Sequence, residues 1–160
     1  MKKLLLIFSL FTLATGIFAQ EIKKMKITDL ETYIQKSDHP LIINFWATFC
    51  SPCIDEIPYF QTAVAKYKDK KAELLLVSLD LPDYYPAKIL TFAKKKNFTS
   101  PIVWLNETNA DYFCPKIDKK WFGGIPSTLF VNNKTHYRRF FERQLTEPQV
   151  EENLKALLKE

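Results

Sequence analysis

Cysteine and histidine are scarce in this chain. Three cysteines and two histidines are spread over 160 residues, and only Cys50 and Cys53 stand close together. A closed tetrahedral zinc site needs four ligands; Cys114, His39 and His136 are scattered and supply no second close pair. No cysteine precedes Cys50, which excludes lipid attachment at a cysteine beside an N-terminal cleavage site. An excess of one charge is lacking too. The formal charge is +5, and the densest basic runs are only Lys94-Lys95-Lys96 and Arg138-Arg139. Runs that short read as solvated faces, so nucleic acid is not expected as a partner. There is no internal repeat and no low-complexity linker. With 47% hydrophobic residues and 13 phenylalanines, the chain has the length and apolar content for one domain with a substantial core.

One stretch stands apart from that domain. Lys2 and Lys3 precede an apolar run from Leu4 to Leu13, interrupted by Ser9 and Thr12, and small residues lead to Ala19 and Gln20. The run is short for a membrane span. It reads as a signal peptide over residues 1–19, with a retained anchor as the alternative. In an oxidising compartment the Cys50 and Cys53 pair tends toward the disulfide unless another protein keeps it reduced.

The chain is organised around Leu41 to Pro58. An unbroken apolar run ends at Cys50-Ser51-Pro52-Cys53, as expected for a strand buried on both faces. Ile54, Ile57, Phe60, Val64 and Tyr67 then follow helical spacing. Cys50 is thus placed at a helix start, where free backbone N–H groups and the positive dipole end favour a thiolate. Two intervening residues let Cys53 close a small disulfide ring with it. On spacing alone a Cys-x-x-Cys pair is a redox couple, half of a metal site or a structural disulfide. Capture of copper(I) by the two thiolates is a further reading.

Phe45-Trp46-Ala47, the Cys50–Cys53 motif, Glu56 three residues later and a helix interrupted at Pro58 resemble a thioredoxin-family active site, of the TlpA/ResA type. Gly123-Gly124-Ile125-Pro126-Ser127-Thr128 resembles that family's cis-proline loop. The resemblance covers the chain from about Lys26 onward, and Phe49 departs from the tryptophan often found before the first cysteine. It implies catalytic roles for Cys50, Cys53 and Glu56, and a substrate-binding surface of Trp46, Phe49, Pro52, Ile125 and Pro126. It implies no cofactor and no bound metal. The implied partners are a disulfide- or thiol-containing exported protein, with apocytochrome c as one candidate, and a membrane electron-donor protein. The implied protein is a monomer outside the cytoplasm, periplasmic or equivalent.

The remaining pattern suits that plan. Thr28-Asp29-Leu30-Glu31 has capping-box form before a short helix. Ala72 to Leu79 and Ile102 to Leu105 read as buried strands; Pro86 suits a first helical turn and Asn97 a helix stop. Thr108 to Trp121 reads as a broken helix around Pro115. Thr128 to Val131 and Tyr137 to Phe141 form a hairpin about Asn132-Asn133-Lys134, and Thr146-Glu147-Pro148-Gln149 caps a last helix. The expected fold is a thioredoxin-like α/β/α sandwich over residues 20–160. Its central sheet is mixed, with one inserted βα unit over Ala87 to Leu105. Cys114 is expected to be buried, and His39 and His136 to lie at the surface.

Overall fold

The strand read before the cysteines is Leu41–Trp46 (β2), and all six of its residues are buried. Such a strand needs cover on both faces, and the computed structural model, which describes residues 21–159, provides it. Glu73–Ser78 (β3) and Ile102–Leu105 (β4) lie parallel on one side of β2. On the other side Ser127–Asn132 (β5) runs antiparallel to β2, and Tyr137–Phe141 (β6) runs antiparallel to β5. A short strand, Lys23–Met25 (β1), pairs with β4 and completes the order β1-β4-β3-β2-β5-β6.

Side chains alternate across this sheet, so two cores form. On one face Ile42, Leu74, Leu76 and Phe130 meet Ile57 and Phe60 of Ser51–Lys66 (α2), Ile89 of Ala87–Lys95 (α3) and Val150 and Leu154 of Glu147–Leu157 (α5). On the other, Ile43, Phe45, Val77 and Leu129 meet Ile27 and Leu30 of Ile27–Lys36 (α1) and Phe113 and Ile117 of Ala110–Ile117 (α4). The fold is the expected α/β/α sandwich. The segment over Ala87 to Leu105 is α3 and β4, and β4 slots between β1 and β3.

Several local expectations shift. β1 was not read at all, because Lys23-Lys24-Met25 is a short edge strand with two exposed lysines and no apolar period. The N-cap of the first helix lies two residues before the expected one. Lys26 is its N-cap, and the Asp29 carboxylate accepts the Lys26 backbone N–H at 3.1 Å, leaving Thr28 inside the first turn. Around Pro115 there is one eight-residue helix rather than a broken one. Asn132 belongs to β5, and the hairpin turns through Asn133 to His136, the last with positive φ. His39 is half-buried and tethered, contacting Asp38 at 2.9 Å and Glu73 at 2.8 Å. Asn97 does stop α3, in the left-handed conformation, and Thr146 with Gln149 caps α5 as a box. The expected signal peptide lies outside the described residues.

A candidate redox site at one end of the sheet

The chain leaves β2 at Trp46 and enters α2 at Ser51, so four residues carry it from strand to helix. Cys50 is the helix N-cap; its N–H donates to Ala47 O at 3.0 Å and its own carbonyl accepts Ile54 N–H. Cys53 lies one turn further in. The two sulfurs are joined in a disulfide with the Cα atoms 5.3 Å apart. Their environments differ: Cys50 keeps 7% of its surface while Cys53 keeps none.

Glu56 is enclosed on the same inward side of α2, one turn beyond Cys53. Its Oε1 accepts the Asn44 side-chain amide at 2.8 Å, and its Oε2 accepts the Leu145 backbone N–H at 2.6 Å. Burial dominates its titration and pushes it up to about 7; the two hydrogen bonds and the more distant Arg143 pull the other way. Asp55, by contrast, is exposed.

The loop before Cys50 is held from below by a residue the sequence reading passed over. Asp80 follows β3 and is almost fully buried. Its carboxylate accepts the Thr48 N–H at 3.0 Å, the Thr48 hydroxyl at 2.6 Å and the Ser78 hydroxyl at 2.8 Å. Its position just past the carboxyl end of a parallel strand was the available signal, since sites in open α/β sheets gather there.

Opposite the cysteines, β5 starts where β2 ends, because Phe45 pairs with Ser127 in antiparallel register. Pro126 therefore lies at the same end of the sheet as Cys50. The Ile125–Pro126 bond is cis, as is Tyr85–Pro86, which the sequence reading did not anticipate. Pro126 is buried and Ile125 half-buried, while Pro52 and Phe49 are exposed. Trp46 corrects an expectation. It has no exposed surface and packs against Phe98 and Phe92 beneath the loop, so it cannot touch a substrate. Cys114 is buried as expected, and burial pushes its thiol up to about 11. Among the described residues no group of three or more His, Cys, Asp or Glu side chains could hold a metal ion, and no helix is long and apolar enough to cross a membrane.

A mixed sheet between two helical layers, with a cysteine pair straddling the start of a helix at the end of a central strand, defines a thioredoxin-like thiol–disulfide redox protein. Comparison with known proteins agrees. Residues 10–138 match the model of the AhpC/TSA family, and the chain belongs to that family. It is 29% identical over 167 residues to thiol-disulfide oxidoreductase ResA of Bacillus cereus, a match covering 92% of this chain and 87% of that protein. To the protein of the same name from Oceanobacillus iheyensis it is 30% identical over 111 residues, 69% of this chain but only 53% of that relative. Among solved structures, a thioredoxin-related protein from Neisseria meningitidis superposes with a TM-score of 0.64 at 24% identity, covering 78% of this chain and 89% of the other. StoA from Bacillus subtilis gives 0.54 at 23% identity, covering 79% and 87%. At these identities the two structures speak for the fold.

Proposed function

We propose that this chain is an exported thiol–disulfide oxidoreductase that reduces disulfides in other exported proteins. The observation that carries the reading is the asymmetry of the pair: Cys50 reaches the surface at a helix N-terminus, and Cys53 is sealed beneath it beside a buried carboxyl group. The first sulfur can meet a partner; the second can meet only the first. The reduced Cys50 thiolate attacks one sulfur of a substrate disulfide. That bond breaks, the far substrate sulfur leaves as a thiolate and takes up a proton, and Cys50 is left in a mixed disulfide. Cys53 passes its proton to Glu56 and attacks the Cys50 sulfur. The mixed disulfide breaks, the second substrate thiolate leaves and is protonated, and the Cys50–Cys53 disulfide results. Two electrons have passed to the substrate, and an external dithiol protein, proposed to be membrane-bound, returns them.

Export is proposed from the Lys2-Lys3 start and the apolar run that follows. Relatives named for thiol-disulfide oxidoreductase activity support the chemistry. Cytochrome c maturation, with a disulfide between the apocytochrome c cysteines as the substrate, is the role that the TlpA/ResA resemblance brings. The test is reduction of insulin disulfides by the dithiol form of the mature protein. The expected outcome is turnover that depends on Cys50; tight copper(I) binding by the two thiols with no disulfide reduction would instead favour a copper-handling role.

A further inference from the structure

Among the described residues four large apolar side chains are exposed, Phe49, Leu81, Tyr112 and Phe122, and the most exposed two flank the redox site in sequence. Phe49 directly precedes Cys50 and is 67% exposed, and Phe122 precedes the cis-proline loop and is 88% exposed. The antiparallel pairing of β2 with β5 puts both residues at the end of the sheet that carries the disulfide.

Phe122 is presented by a backbone that is fixed on all sides. The Glu142 carboxylate, just past β6, accepts the Phe122 N–H at 3.2 Å and the Gly124 N–H at 2.7 Å. The Gly124 carbonyl accepts the Trp121 indole N–H at 2.9 Å and the Ser127 hydroxyl at 2.7 Å. The fit is close: a Cβ on Gly124 would lie 2.8 Å from the Glu142 Oε1. Trp121 itself is anchored between Phe45, Phe113 and Phe140. These four polar contacts, with Gly123 in a positive-φ conformation, hold a turn on which the Phe122 ring faces water. An aromatic group displayed on a rigid backbone loses little freedom on binding, and such groups dominate recognition surfaces.

We propose that Phe122 is a specificity-determining contact for the polypeptide substrate, selecting segments with an apolar residue beside the reactive cysteine, and that Glu142 is the positioning residue that sets it there. The inference rests on the redox reading above. Its occupant follows from continuity with the disulfide. Cys50 shows so little surface that a partner sulfur must be brought down to it, and the chain flanking that sulfur then runs along the end of the sheet at which Phe49 and Phe122 are exposed.

The experiment compares two peptides, each holding one intrachain disulfide and differing only in a leucine or a serine next to the attacked cysteine. Their second-order rates of reduction are measured with the dithiol protein. The wild-type protein should prefer the leucine peptide by about tenfold, and Phe122→Ala should remove most of that preference. Glu142→Ala should weaken it in the same way, and Glu142→Gln, which keeps an acceptor oxygen for the loop, should restore it. No preference in the wild type, or a preference that survives Phe122→Ala, overturns the inference while leaving the redox reading intact. A wild-type protein that reduces neither peptide overturns the redox reading itself. Concentration-dependent dimerisation abolished by Phe122→Ala assigns the ring to a second copy of the chain and likewise overturns the inference.

Discussion

At the scale of single residues, Glu56 is the group whose chemistry the fold changes most. Held at about 7 rather than near the ordinary 4.5, it divides between acid and base at neutrality, where a general base works best. Resolution of a mixed disulfide needs the Cys53 thiolate, which a sealed site disfavours. Wild-type resolution should therefore speed up as pH rises through about 7. Glu56→Gln should slow it by on the order of tenfold or more and remove that inflection. Stopped-flow rates from pH 5 to 9 decide this, and superimposable profiles would make Glu56 a structural carboxyl only. The same group tilts stability. Its folded value is raised, so the contribution is complete below the unfolded value and disappears as pH climbs through the folded one. Denaturant unfolding of the oxidised protein should show on the order of 3 kcal/mol lost across that window and absent in Glu56→Gln. The spacing from Cys53 was enough to single out Glu56, but its partners were not readable. The Leu145 N–H lies 89 residues away in sequence, and no local pattern announces such a contact. Asp80 and Glu142 escaped for the same reason, since each acts on a loop from another strand's end.

At the scale of elements, the legible parts were those whose burial is written into period or continuity. β2 shows as a solid apolar run, α2 as a change of period at Cys53, and α5 as a capping box followed by a stripe. Each boundary holds to within a residue or two. Elements held by tertiary contact were harder to see. β1 exists because its backbone pairs with β4, and its lysines carry no strand signal. The start of α1 is set by Asp29 reaching back to Lys26, with the Lys26 ammonium donating to Asn106 O. The resemblance put Trp46 in the substrate-binding surface beside the active site, but its side chain has no exposed surface. The strand alternation instead aims it inward, onto Phe98 of the segment after α3. The inserted α3–β4 unit therefore builds the floor beneath the active-site loop, through Trp46 and through the Trp104 indole that donates to the Asp80 carbonyl at 2.7 Å.

At the scale of the whole molecule, the candidate site is concentrated at one end of the sheet. The ends of β2 and β3 and the start of β5 bring Cys50, Asp80 and Pro126 to one place, although 76 residues of sequence separate the first from the last. The proposed export belongs to this scale, and an intact mass from the native host should show a chain beginning near Gln20. A product retaining Met1 in the membrane would instead make the N-terminal run an anchor. The central claim is the division of labour between a surface sulfur and a sealed one, and trapping tests it most directly. Cys53→Ser and Cys50→Ser variants are each mixed with a disulfide-bonded protein, quenched with acid and separated without reductant. The account predicts a stable mixed disulfide through Cys50 in Cys53→Ser and none in Cys50→Ser; equal trapping by both variants, or trapping through Cys53 alone, would contradict it.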